Sequence, residues 1–258
     1  MVRKKHREVD PYPVRVWWGY AGRSFRASLQ DMATFHKALG SIFIPATVQM
    51  MLPLGLVAYL PTIVPRDSDP SVPDEIALVF YRSKEMYRNT GECVAGRAYS
   101  LLHKTVFNFE NSDDIPTSHS DFPEKFGPES INTFPGYYFL FEKFVDWQCG
   151  EVMVQVEIRD GVSVDAFNTV ASERIITLQK NPPPKLDGAV VSLFGGCLLL
   201  WTHWSNKSPV DYSVFKGSDP VRTVVSVRQK PLQISSDPWQ PYTGLKVKEG
   251  DGFNFIVR

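Results

Sequence analysis

"EIALVFYRSKEMYRNTG", residues 75–91, joins two patterns. Its first part, "IALVFY", is an unbroken apolar run of strand length, the signature of a strand buried on both faces. Its second part predicts a helix, with Ser83 as N-cap and Glu85 in the first turn. Tyr81 and Arg82 stand at the join. Side chains at the carboxyl end of a buried strand, beside a helix start, often meet ligands. The plainer reading is that Arg82 only lays its stem along the surface, and the join is a seam. A second helical segment follows across Gly91, "CVAGRAYSLLHKTVF" at 93–107. Its apolar stripe reads as Val94, Ala98, Leu101, Leu102 and Thr105.

The chain extends this pattern both ways. "VRVWWGYAG" (14–22) reads as a strand of aromatic and β-branched residues ended by glycine. "SLQDMATFHKALG" (28–40) reads as a helix capped by Ser28 and ended by Gly40. Leu29, Met32, Phe35, His36 and Leu39 fall on one of its faces. Pro45 suits the first turn of a second short helix. "GLVAYLPTIVP" (55–65) reads as a strand interrupted late by proline. Residues 110–135, with three prolines before Pro135 and many Ser, Asp and Glu, read as a long loop or interdomain connection. After it come strands in "GYYFLFEKF" and "GEVMVQVEIRDG", the latter with Val152, Val154, Val156 and Ile158 on one face. A helix capped by Ser163 ends at "NPPPK". "GAVVSLFGGCLLLWTHW" is one long bulged strand or a hairpin turning at Gly195-Gly196. "VRTVVSVR" and "FNFIVR" close the chain as strands.

The bulk numbers narrow the class. With 258 residues there is room for one large domain or two small ones. Twenty-eight Lys and Arg balance 28 Asp and Glu, so no overall field draws the chain to nucleic acid or acidic membrane. The three cysteines, Cys93, Cys149 and Cys197, are too far apart for a Cys-x-x-Cys pair. That argues against a disulfide framework or structural zinc, and for a reducing, cytoplasmic setting. The charged first thirty residues lack the apolar core of a signal peptide. Residues 38–65 carry no charge and exceed the length of a membrane helix. Pro45, Pro53 and Pro61 would break such a helix repeatedly, so two or three shorter buried elements are expected there.

Helices crossing between short strands in both halves predict an α+β protein: tandem ferredoxin-like halves, antiparallel sheets packed by helices. The expected division is 1–109 as the first half, 110–135 as connection and 136–258 as the strand-rich second half. Within the first, "ALVFYRSKEMYRNTGECVAGRAYSLLHKTVF" (77–107) resembles dimeric α/β-barrel proteins, the group that includes antibiotic-biosynthesis monooxygenase-like enzymes. The shared features are a strand leading into a helix that begins Ser-x-Glu-x-Tyr (Ser83, Glu85, Tyr87) and a second helix with a histidine near its end (His103). The second half carries no repeat of that helix start. The resemblance implies a cleft between sheet and helices that holds a small organic molecule or haem.

No Gly-x-Ser-x-Gly elbow, phosphate-cradling loop or His-Glu-x-x-His occurs. His103 is a general base or haem ligand facing a cavity, or simply a histidine favourable at a helix C-terminus. Arg82 and Arg97 suit a carboxylate or enolate, and Tyr81 suits substrate orientation. If 197–204 is a strand, Cys197, Leu199, Trp201 and His203 share one face, and Trp201 and His203 are a pocket wall or a strand end leaving the core. His36 reads as a core histidine and His119 as part of a solvated loop. Asp74, Glu75, Glu151, Glu157 and Asp160 read as solvated strand ends. The function expected is a cavity that binds, and transforms by proton transfer without a visible cofactor motif, a small and partly apolar organic molecule. The alternatives are a non-catalytic assembly protein, a homo-oligomer built through aromatic surface and the 110–135 loop, and a membrane-active protein using residues 38–65.

Overall fold

Alternation along β1 (Val14–Gly19) sends Val14, Val16 and Trp18 to one side of a sheet and Trp17 to the other. β3 (Glu75–Tyr81) does the same, with Ile76, Leu78 and Phe80 on the first side and Ala77 and Tyr81 on the second. Both sides are buried, as its unbroken apolar run predicts. The structure, a computed structural model, describes residues 13–66, 69–127, 130, 136–143, 145–147, 149–205 and 221–229, with the backbone alone of 245–247 and 255–257.

The first sheet has the order β2–β3–β1–β4, all antiparallel, with β2 at Leu56–Ile63 and β4 at His119–Asp121. Helices α1 (Leu29–Ala38) and α2 (Ile44–Met51) connect β1 to β2. α3 (Lys84–Asn89) and α4 (Val94–Val106) connect β3 to β4. This is the split βαβ order of a ferredoxin-like unit. Pro61 lies inside β2, which is an edge strand of this sheet and so tolerates a residue without an N–H.

The second sheet repeats the order. It runs β10–β7–β9–β8–β6–β5, built from β5 (Glu124–Lys125), β6 (Gly136–Phe139), β7 (Glu151–Arg159), β8 (Leu186–Phe194), β9 (Cys197–Trp204) and β10 (Val221–Gln229). α5 (Val164–Lys180), capped by the Ser163 hydroxyl, connects β7 to β8. Strands β7 to β10 hold the places that β1 to β4 hold in the first sheet, while β6 and β5 extend the edge beyond β8. The link between β9 and β10, where a second Ser-x-Glu-x-Tyr helix would fall, lies outside the described residues. β8 and β9 form a hairpin through Gly195 and Gly196, both at positive φ (56° and 83°), the backbone such a two-residue turn requires. A two-stranded ribbon pairs β11 (Leu245–Val247) with β12 (Phe255–Val257). The protein is thus α+β, with tandem ferredoxin-like sheets packed by helices.

The two sheets stack face to face over one apolar core. Trp18, Leu78 and Phe80 from the first meet Val154, Val156 and Trp201 from the second. Each such side chain contributes about 1.5–3 kcal/mol on burial. The Trp18 indole N–H donates to the Ser192 hydroxyl across the joint at 2.6 Å. All four residues expected on the inner face of β7, Val152, Val154, Val156 and Ile158, lie in this core.

Several local expectations need correction. Gly40 does not end the first helix: the chain stays helical from Leu29 to Leu54. A π turn at Leu39–Phe43, with the Ile44 N–H bonded to the Leu39 carbonyl five residues back, widens the coil just before Pro45. Proline's missing N–H and bulky ring are absorbed there instead of breaking the run. By length and composition this run is apolar enough to cross a membrane, yet it lays Phe35, Leu39, Phe43, Ile44 and Val48 onto the first sheet. Of the stripe assigned to α4, only Leu102 packs inward. Val94, Ala98 and Leu101 are exposed, whereas Gly96, Tyr99 and Val106 face inward. Among the described residues of 110–135, one short strand joins each sheet. His119 is not in a solvated loop: it stacks on Trp18 and packs on Phe194, with ring centroids 5.3 and 4.4 Å away.

Candidate functional site

Between the first sheet and its helices lies a cavity of about 570 Å³. Arg15 and Trp17 of β1, Tyr59 of β2, and Ala77, Val79 and Tyr81 of β3 form its floor. Phe43 and Met51, Tyr87 of α3, and Gly96, Tyr99 and His103 of α4 cover it. The floor is the helix-facing row of the sheet, so strand alternation selects it. The short side chain of Ala77 leaves room where longer neighbours would meet. Gly96 lets α4 start hard against the preceding turn, since a Cβ there would fall 1.9 Å from the Thr90 carbonyl oxygen.

His103 stands in this wall. Its Nδ1 lies 2.9 Å from the Tyr99 carbonyl oxygen, which can only accept, so Nδ1 carries the proton and Nε2 keeps its lone pair. The ring is half-buried in the surface sense but enclosed by other rings: Tyr99 at 4.3 Å, Phe43 at 4.7 Å and Trp17 at 5.3 Å, all edge-on. Burial among them lowers its pKa to about 4, against the pull of the carbonyl bond, so the imidazole is neutral at physiological pH. Behind it, the Thr47 hydroxyl donates to the Phe43 carbonyl at 3.0 Å. The Tyr99 hydroxyl is therefore the donor to Thr47, at 2.6 Å.

Glu75 lies at the foot of the same strand row. It is fully buried and accepts from the Trp17 indole N–H and, at 3.2 Å, from the Tyr59 hydroxyl. Desolvation raises its pKa to about 8, the two donors offsetting only part of the cost. Burial thus favours its neutral, protonated form, held by two residues that line the cavity. Tyr59, Tyr81 and Tyr99 all have pKa values raised by burial and keep their protons.

The charged residues in the lining are Arg15, Arg88, Arg97 and Lys104, with no Asp or Glu among them. Arg97 donates to the Glu92 carbonyl at 3.0 Å and is exposed. Arg15 is held more firmly. Its Nε donates to the Ser120 hydroxyl at 3.0 Å and its Nη2 to the Ser120 carbonyl at 2.8 Å. Its guanidinium carbon lies 4.2 Å from the centre of the Tyr87 ring and 4.9 Å from that of Phe122.

Of the residues singled out from sequence, the structure brings Tyr81, Arg97 and His103 into one cavity. Arg82 is exposed and lies outside the lining. Trp201 is buried in the core between the sheets. His203, on the same face of β9, donates from Nε2 to the Cys149 carbonyl at 2.7 Å and packs on Trp147. Neither lines the cavity. Asp74, Glu75 and Glu157 are buried rather than solvated. Among the described residues no group of three or more His, Cys, Asp or Glu is placed to hold a metal ion. Sequence reasoning missed Arg15, Trp17, Tyr59, Tyr99 and Glu75. A signal for Glu75 existed: counting back by twos from Tyr81 through Val79 and Ala77 puts it in the floor row.

No protein-family model matches the chain, and no curated protein matches it in sequence. Among solved structures, a "putative monooxygenase" from Lactobacillus acidophilus NCFM overlays 84% of this chain and 94% of its own at 8% identity and a TM-score of 0.35. Another so described, from Fusobacterium nucleatum subsp. nucleatum, covers 76% of this chain and 77% of its own at 8% identity and a TM-score of 0.37. An anthrone oxidase-like protein covers 86% and 94% at 11% identity and a TM-score of 0.27. At such scores no residue role passes from them to this chain.

Proposed function

We propose that the cavity beneath α2 and α4 binds a small, partly apolar organic molecule and that His103 takes a proton from it. The observation that carries this reading is the bare Nε2 of a neutral imidazole in the wall of a cavity large enough for such a molecule. An acidic O–H or C–H of the ligand within reach of Nε2 gives up its proton there, and the electron pair stays on the ligand as an enolate or phenolate. The new N–H is returned to another atom of the ligand or to solvent. Tyr81 orients the ligand from the floor, and Arg97 offers charge at the rim. In the empty cavity the imidazolium is disfavoured. A negative charge forming beside it reverses that, so base and ligand titrate as a pair. The tandem ferredoxin-like order of both sheets supports the resemblance to dimeric α/β-barrel enzymes, and with it a division into two halves joined by residues 110–135.

The test is native mass spectrometry of the protein purified from its own host. A small adduct that leaves on denaturation is expected, with weaker retention in His103→Ala and Tyr81→Phe. A haem mass would move His103 from base to ligand, because the same Nε2 is the atom an iron would take. A large, ligand-free assembly would overturn the reading and turn attention to contacts between subunits.

A further inference from the structure

We infer that the ligand of this cavity is an organic anion on a flat, apolar body, with its charged end on the Arg15 guanidinium. The inference rests on the cavity reading above and specifies it. Arginine has five N–H donors, and Ser120 engages one on Nε and one on Nη2. Among the described residues nothing accepts from Nη1, and no carboxylate pairs with Arg15. A guanidinium packed against the Tyr87 and Phe122 rings, and held through Nε and Nη2 by Ser120, has lost much of its freedom before any ligand arrives. Its remaining donors form a pre-set fork for a carboxylate, phenolate or enolate.

The surroundings agree in sign. Every charged residue in the lining is a cation, and burial pushes the Glu75 carboxyl beneath the floor toward its neutral form. A cationic ligand would therefore meet repulsion with no compensating charge. The walls fix the other end of the molecule. Trp17, Phe43 and Tyr99 present ring faces and edges and few unsatisfied polar atoms, which favours a flat apolar body over a sugar or a peptide.

Two probes of one shape separate these terms: 2-naphthoate, which is anionic, and 2-naphthamide, which is neutral. Binding is measured by calorimetry on the full chain, and its place by the ring signals of His103 in histidine-labelled protein, identified with His103→Gln. The naphthoate is expected to bind about tenfold to a hundredfold more tightly than the amide, as a charge-assisted hydrogen-bonded pair implies. Arg15→Gln should erase that preference, weakening the naphthoate by far more than the amide. Arg15→Lys should retain part of it, which also guards against a misfolded glutamine variant. Equal affinity for both probes, or an undiminished preference in Arg15→Gln, overturns the anion assignment while the cavity reading survives. Binding of neither probe, with His103 unmoved, overturns both.

Discussion

The two sheets share one strand order but treat their helix-facing sides in opposite ways. Over the second sheet, α5 lays Phe167, Ala171, Ile175 and Leu178 onto Leu198, Leu200, Val191 and Leu193, and the space is filled. Over the first, the corresponding space is walled by rings and carries a neutral histidine, a fixed arginine and an opening of about 570 Å³. The same topology therefore packs one side for stability and keeps the other open. Strand order positions a site, and side-chain size in one strand row decides whether the site exists.

The largest effect that would break this contrast is a truncation on the filled side. Phe167→Ala should cost about 3–5 kcal/mol, because Phe167 is fully buried and its neighbours cannot close the gap. Val79→Ala on the cavity floor should cost about 1 kcal/mol or less, since part of that side chain already faces empty space. Urea unfolding midpoints of the two variants decide the matter. Equal losses would mean that the cavity side is packed as tightly as the other.

A second, smaller effect compares two buried acids. Glu75 on the first sheet and Glu157 on the second both have pKa values raised to about 8, chiefly by desolvation. A group whose folded pKa lies above its unfolded value holds its stabilising proton fully below about 4.5 and loses that contribution as pH rises through about 8. Wild-type stability should thus fall from pH 5 to pH 9. Replacement of either acid by glutamine should flatten the fall by about 1–3 kcal/mol, a discounted share of what such shifts imply. The two differ in support. Glu75 receives two hydrogen bonds, whereas neither oxygen of Glu157 has a hydrogen-bond partner among the described residues. Glu157→Gln should therefore be the more stabilising change at neutral pH, and stability curves over that range would show the opposite order if the donors to Glu75 mattered little.

Much of the architecture was legible because it rests on short-range rules. Ser28, Ser83 and Ser163 all cap helices, Gly195 and Gly196 turn a hairpin, and alternation along β7 and β9 sorts their residues by face. That Tyr81, Arg97 and His103 would lie near one another was legible because a single local strand–helix–helix stretch, 77–107, carries all three. Arg15, Trp17 and Tyr59 join the cavity through strand pairing with residues 20 to 64 positions away, which no local pattern encodes. The misplaced stripe on α4 has a related cause. Its inward face carries Gly96, Tyr99 and His103 at the cavity beside Leu102 and Val106 in the core, while Val94 and Leu101 point outward. Glu75 was misread because a charge at a strand end is normally solvated, and here Trp17 and Tyr59 take the place of water.

The smallest expected effect sharpens the comparison at the join between β3 and α3. Tyr81 belongs to the floor row and is buried. Arg82, one residue on, points the other way and is exposed, and only its backbone is engaged, through the N–H to the Gly55 carbonyl at 2.9 Å. Alternation alone assigns one to the cavity and the other to solvent. Arg82→Ala keeps that backbone bond, so it should change stability by no more than about 0.5 kcal/mol and leave ligand retention intact. Tyr81→Phe removes a buried hydroxyl facing the cavity and should weaken retention with little change in fold. Thermal midpoints and adduct retention, measured side by side, separate the two residues. A loss of retention in Arg82→Ala equal to that in Tyr81→Phe would show that the ligand reaches past the strand end and that the cavity is larger than its described walls.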